Sequence, residues 1–183
     1  MKLETILNQQ VIDCGRFVLR PLRKSDAGLL NLYSRDERIA RSTTSIPHPL
    51  PPGATEAYIA RVTSDDRREE VWVLDGTAHD HSELLGVIGL TCIERDQAEI
   101  GYWIAPAFWN TGYASEAVTA LLAANPKNCK SIFAEVFQDN PASARVLTNA
   151  GFEYIGDAET HSVARGANVE TWTYIKKMGQ AAQ

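Results

Sequence analysis

The stretch from Leu84 to Ile93 constrains the fold most. Leu84, Ile88 and Leu90 fall on one parity and Leu85, Val87 and Ile93 on the other, so a strand here is apolar on both faces. Such a strand belongs in the middle of a sheet covered by helices on both sides. Glu94-Arg95-Asp96-Gln97 then turns the chain. Ala98 to Ile104 reads as an adjacent antiparallel strand, with Ala98, Ile100, Tyr102 and Ile104 on one face and Glu99, Gly101 and Trp103 on the other. A helix follows over about Gly112 to Ala124, with Val118, Leu121 and Leu122 inward, and then a strand from Ser131 to Phe137. A strand–helix–strand unit of this kind places two strands in parallel.

The flanking segments add further elements. Arg16 to Leu22 alternates apolar and polar residues, a strand signal. Ser25 can cap a helix running to about Arg38. Ile46 to Gly53 holds half of the eight prolines and reads as a stiff loop before a helix through Ala57 to Val62. Val71 to Leu74 is a short strand ending in an Asp75-Gly76 turn. Pro141 opens another helix that Gly151 closes, and Phe152 to Ile155 and Thr171 to Ile175 are closing strands. The expected fold is α/β of the α+β type. It has a mixed, mainly antiparallel sheet of six or seven strands and about four helices. One domain spans 1–178, with a short tail at 179–183.

Composition narrows the function classes. At 183 residues and 44% hydrophobic content, the chain can bury a core without disulfides or a structural metal. A net charge of −5 argues against a dedicated nucleic-acid binder. Cys14, Cys92 and Cys129 form neither a disulfide framework nor a zinc ribbon, and His79-Asp80-His81 lacks a third ligand in any recognisable pattern. No metal is expected. No apolar run approaches the ~20 residues needed to cross a bilayer, and Met1 to Thr5 lacks the pattern of a leader. The expected setting is cytoplasmic, without membrane or nucleic-acid partners.

Two helix N-termini carry the chemistry. The first follows a strand through Trp109-Asn110-Thr111-Gly112-Tyr113-Ala114. Free backbone N–H groups and a helix dipole suit an anion such as a pyrophosphate there, although Gly112 could equally serve only a tight turn. The second is Asn140-Pro141-Ala142-Ser143, where Asn140 can cap and Ser143 lies within the first turn, as a working hydroxyl or a solvent-facing one. Glu99 is the third candidate: a carboxylate in an apolar strand is costly unless it is used or exposed.

Together these motifs resemble the GNAT superfamily of acyl-CoA-dependent N-acyltransferases, and within it the RimJ/RimL-like branch of ribosomal-protein alanine N-acetyltransferases. The likeness covers nearly the whole chain, including Leu19-Arg20-Pro21-Leu22, Leu85 to Gly89, Glu99 to Ile104, Trp109 to Ala117, Asn140 to Ser143 and Gly151-Phe152. In the loop pattern Trp109, Gly112 and Ala114 match, whereas Asn110 stands where glycine is common and Thr111 where a long polar or basic residue is common. The resemblance implies acetyl-CoA as cosubstrate and direct attack by an amine in a ternary complex. It also implies a splayed central strand pair that admits the pantetheine arm. Asn110 to Ala114 would hold the pyrophosphate. Asn140 and the backbone of Trp103 and Ile104 would hold the arm, and one of those amides the oxyanion. Ser143 would serve the departing thiol. Glu99 is the preferred base, with Glu94, Asp96, Glu135 or a water chain as rivals. The acceptor, a protein N-terminal amine or a small amine, would meet Pro47 to Pro52, Trp72 and the Thr160 to Asn168 loop. The protein would be a monomer or homodimer. The alternative is a non-catalytic acetyl-CoA-binding sensor or interaction module.

Overall fold

The computed structural model describes residues 9–179; the leader reading at Met1 to Thr5 and most of the proposed tail lie outside the described residues. Among the described residues are eight strands and five α-helices. In chain order they are β1 (Ile12–Asp13), β2 (Val18–Pro21), α1 (Ala27–Ser34), α2 (Glu37–Ser42), α3 (Ala54–Val62), β3 (Glu69–Asp75), β4 (Gly86–Glu94), β5 (Gln97–Ile104), α4 (Tyr113–Ala124), β6 (Ser131–Phe137), α5 (Pro141–Asn149), β7 (Glu153–Ser162) and β8 (Ala167–Lys177). The strands form one sheet in the order β1-β2-β3-β4-β5-β6-β8-β7. Every neighbouring pair is antiparallel except β5–β6.

Apolar parity builds two cores on this sheet. Val71, Val73 and Val87 pack with Leu22, Leu30, Ile59 and Val62 beneath α1 and α3. Trp72, Leu74, Ile88, Leu90 and Ile100 pack with Val118, Leu121 and Leu147 beneath α4 and α5. The central strand covered on both sides is therefore present. Strict alternation fails at its ends, however. Leu84 joins the α1/α3 core and Leu85 the other, opposite to the expected parities, because the strand begins only at Gly86. Ile93 is exposed where the β4–β5 ladder slips between Cys92 and Glu94.

Three other expectations change. The sheet has eight strands rather than six or seven, because β1 is only two residues long and lacks a sequence signal. The closing strands are longer than expected: β7 and β8 form a hairpin pairing Glu153 to Ser162 with Ala167 to Ile175, and the mostly solvated faces of β7 hid it from an apolar count. The helix expected from Ser25 to Arg38 is two helices, because Asp36 turns extended and caps α2 by accepting the Arg38 N–H at 2.9 Å. In β2, Arg20 is buried, donating to Asp26 at 2.8 and 2.9 Å and to Asp75 at 2.5 Å.

The feature that positions the site is the parting of β5 and β6. Their pairing covers Gln97↔Ser131, Ala98↔Ile132 and Glu99↔Phe133 and then stops. Beyond it β5 stays with β4 up to Ile104 and β6 stays with β8 up to Phe137. A wedge opens between the two strands, as expected for a splayed central pair.

Candidate active site

The loop from Trp109 to Ala114 lines one side of a cavity of about 510 Å3 at the open end of the wedge. Asn110 and Gly112 adopt left-handed backbones, with φ of 59° and 84°, and turn the chain into α4. Asparagine tolerates this region better than other side chains, so the departure at position 110 leaves the loop conformation intact. The Thr111 hydroxyl donates to the Phe108 carbonyl at 2.5 Å. From behind, Arg16 donates to the Thr111 carbonyl at 2.7 Å and to both carboxylate oxygens of Glu116 at 3.0 Å, and its guanidinium lies over the Tyr113 ring. Tyr113 is buried against Phe17 and Phe108 and anchors the loop. The Trp109 indole N–H donates to the Ile104 carbonyl at 2.7 Å, tying the loop to the end of β5. Arg38 and Arg41 from α2 and Arg145 from α5 also line this cavity. They surround with cations a loop that carries no basic side chain of its own, although the molecule is acidic overall.

At the start of α5, the Asn140 side chain accepts the Ser143 N–H at 3.3 Å, so it is the N-cap expected from sequence. The Ser143 hydroxyl points across the wedge to β5 and donates to the Tyr102 hydroxyl at 2.9 Å. The phenol in turn donates to the Ser143 carbonyl at 3.1 Å. Burial pushes Tyr102 up to about 12, only partly offset by its bond with Ser143. Sequence reasoning missed Tyr102. The available signal was a single hydroxyl on the parity that Ala98, Ile100 and Ile104 otherwise devote to the core.

A second cavity of about 780 Å3 opens on the α1/α3 face of the sheet. Both cavities are lined by Ser42, Tyr102, Trp103, Asn140 and Ser143, which form their common boundary. Gly89 and Gly101 are cross-strand partners on that face, and a Cβ added at Gly101 meets nothing within 4 Å, so the floor lies open. Glu69, Thr91 and Glu99 are consecutive cross-strand neighbours on the same face. Glu135 shares the face, two residues beyond the Phe133 partner of Glu99. Glu99 and Glu135 line the cavity; Glu94 and Asp96 do not, and Asp96 is paired with Lys130 at 3.1 Å. Glu99 is accessible from the cavity but crowded elsewhere by protein. That burial, with the charge of Glu135, holds its pKa above the ordinary value. Glu135 is fixed by the hydroxyls of Thr160 and Thr171, at 2.5 and 2.6 Å.

Of the stretches expected at the acceptor, Pro47 and Leu50 line this cavity, whereas Pro49, Pro51, Pro52 and the Thr160 to Asn168 segment do not; of that segment only Arg165 lines a cavity, the other one. Trp72 lines neither: its ring is fully buried in the α4/α5 core and its N–H donates to the Gln10 carbonyl. The β7–β8 turn straps the two sides together. Val163 N–H donates to Thr44, and Arg165 binds Asp139 at 2.6 and 3.0 Å and the Arg41 carbonyl at 2.7 Å. Cys14, Cys92 and Cys129 are free thiols, and none lines either cavity. Among the described residues no cluster of three or more His, Cys, Asp or Glu could hold a metal. No helix among them is long and apolar enough to cross a membrane.

This architecture is that of the acetyltransferases. The structure of RimL, a ribosomal L7/L12 alpha-N-protein acetyltransferase in complex with coenzyme A, matches with a TM-score of 0.79 at 18% identity, over 92% of this chain and 98% of that one. Spermidine N-acetyltransferase from Vibrio cholerae, in complex with CoA and spermine, matches with a TM-score of 0.75 at 18% identity, over 89% and 96%. In sequence, the Bacillus subtilis (strain 168) protein described as uncharacterized N-acetyltransferase YoaA is 26% identical over 169 residues, 90% of this chain and 94% of that protein. Residues 16–153 match the family model of the acetyltransferase (GNAT) domain, and the chain belongs to the GNAT acetyltransferase family.

Proposed function

We propose that the protein is an N-acetyltransferase of the RimJ/RimL-like type. It transfers the acetyl group of acetyl-CoA to a primary amine, a protein N-terminal α-amine or a small-molecule amine, by direct attack in a ternary complex. The observation that carries this reading is the meeting of two cavities at Ser143 and Tyr102. One cavity has the anion-binding loop and its arginines, and the other has an open floor and a carboxylate.

In this reading acetyl-CoA is a substrate, and the residues present fit it. The backbone N–H groups from Asn110 to Ala114 hold the pyrophosphate at the N-terminus of α4. The edge of β5 at Trp103 and Ile104 has no strand partner on the β6 side and pairs with the pantetheine arm as an added strand. Asn140 holds the same arm, and one β5 amide faces the developing oxyanion. Glu99 takes the proton of the acceptor ammonium, helped by a pKa raised above that of a free glutamate. Ser143 donates a hydrogen bond to the departing thiolate. A cytoplasmic monomer or homodimer without metal completes the proposal.

Ser143→Ala tests it. The contact forms only as the C–S bond breaks, so kcat should fall by roughly 10–1,000-fold. Coenzyme affinity should change by less than ~1 kcal/mol, the scale of one neutral hydrogen bond. Thiol release across a panel of peptide and small amines gives kcat, and calorimetry gives the affinity. Wild-type turnover in the variant removes the serine from the mechanism. Coenzyme binding with no turnover on any amine makes the protein a binding module instead.

A further inference from the structure

Ser143 does not stand alone at the boundary between the cavities, and its partner lies on a different element. We propose that Tyr102 is a positioning residue for acetyl transfer: its hydroxyl donates to Ser143 Oγ and so aims the Ser143 proton at the departing thiolate. This inference rests on the acetyl-transfer reading above.

The geometry allows two hydrogen-bond arrangements without moving a heavy atom. Tyr102 Oη lies 3.1 Å from the Ser143 carbonyl and 2.9 Å from Ser143 Oγ. In the first arrangement the serine donates to the phenol and the phenol donates to the carbonyl, so both protons are spent on each other. In the second the phenolic hydrogen turns to Ser143 Oγ, and the serine proton is free to face the wedge. The carbonyl bears the change readily, because Ser143 lies in α5 and Leu147 N–H, four residues on, is its helical partner. A negative sulfur in the wedge favours the second arrangement. A donor that is itself receiving a hydrogen bond is polarised and donates more strongly.

The pair works by donation rather than by giving up a proton. Tyr102 is held at about 12 by burial, whereas a thiol ordinarily titrates near ~8.5. Passing the phenolic proton to the thiolate therefore runs uphill. In the turnover the acceptor ammonium first loses a proton to the base. The amine nitrogen then bonds to the acetyl carbon, the carbon–sulfur bond breaks, and its electron pair leaves on sulfur. The second proton shed by the new amide neutralises the thiolate through solvent, while Tyr102 and Ser143 begin and end protonated. The other charged groups lining the two cavities are Arg61, Glu69, Glu99 and Glu135 on one side, and Arg38, Arg41, Arg145 and the Asp139–Arg165 pair on the other.

The test reads the coenzyme thiol itself, so no acceptor is needed. Coenzyme A is bound to wild-type protein, Tyr102→Phe, Ser143→Ala and the double variant. Its thiolate absorbance is titrated against pH, and calorimetry gives each dissociation constant. The bound thiol should titrate below free coenzyme A in the wild type and nearer to it in both single variants. The double variant should match Ser143→Ala, because the phenol acts through the serine. Below the thiol pKa, dissociation constants should stay within about fivefold, no more than one neutral hydrogen bond. Replacing Tyr102 by 3-fluorotyrosine keeps the hydroxyl, makes it a stronger donor, and should lower the bound thiol further. An unchanged titration in Tyr102→Phe, additive effects in the double variant, or a larger loss of affinity overturns the role of Tyr102 and leaves the acetyl-transfer reading standing. No coenzyme A binding by the wild type removes that reading, and this inference with it.

Discussion

At the scale of one residue, Glu99 is a carboxylate whose ionisation works against the fold. Crowding and the Glu135 charge raise its pKa in the folded protein. The folded state therefore holds this proton more tightly than the unfolded chain does. Ionisation above the ordinary glutamate value of ~4.3 then works against folding. Glu99→Gln should melt at or above the wild-type temperature at pH 7.5, and the difference should vanish below about pH 4, where the carboxyl is protonated in both states. In the same variant the acidic limb of the kcat/KM profile should disappear. Thermal melts at the two pH values and a pH–rate profile check both, and a wild-type acidic limb in Glu99→Gln would assign the base to another group. What the sequence disclosed at this scale was local chemistry. Asn140 as a cap, Pro141 at the first helical position and Gly112 in a left-handed turn each depend on neighbours within a few residues. Tyr102 was not legible, because its meaning comes from a contact 41 residues away.

Among the elements, the junction of β2, α1 and β3 adds a buried charge cluster to the apolar packing of Leu22, Leu30 and Val73. Arg20 from β2 is clamped between Asp26 at the entry to α1 and Asp75 at the end of β3, all buried. Asp26 also accepts the Arg23 N–H at 2.7 Å, so one carboxylate closes the turn that leads into α1 and neutralises the arginine. Removing one partner of a buried pair costs about 3–5 kcal/mol, mainly because the other charge is left behind. Asp26→Ala should thus lower the melting temperature by roughly 6–20 °C, taking ~2–4 °C per kcal/mol for a chain of this length. Denaturant unfolding should show the same loss as a lower midpoint, and a loss below ~1 kcal/mol would mean that the cluster is solvated in solution. The alternation of β2 says nothing of Arg20's partners, because parity does not register where carboxylates arrive from other elements. The same blindness explains the missed helix break at Asp36 and the shortened reading of β7, where hydrogen bonding and pairing outweigh apolar periodicity.

For the molecule as a whole, the parting of β5 and β6 is the decisive feature. An intact sheet would satisfy the β5 backbone on both edges, whereas here pairing stops at Glu99 and Phe133. From Ile100 to Ile104 the amides on the β6 side face a wedge lined by Trp103, Asn140 and Ser143. The two cores hold this wedge open, because α1 and α3 pack one face and α4 and α5 the other. A ligand arm lying along β5 therefore completes a sheet that the chain leaves incomplete, and binding should stabilise the fold directly. At a coenzyme A concentration 100 times the dissociation constant, the gain is ~2.7 kcal/mol, or roughly 5–10 °C for a chain of this length. The melting temperature should rise with the logarithm of coenzyme concentration. Amide exchange should slow most from Ile100 to Ile104 and from Asn110 to Ala114, whereas β2, three strands from β5 in the sheet, should slow by no more than the global gain in stability. Melting curves across a coenzyme series, with exchange read on peptides from these segments, test this. Stabilisation without protection of Ile100 to Ile104 would mean that the arm binds elsewhere, and the wedge would then be only a packing defect between two cores.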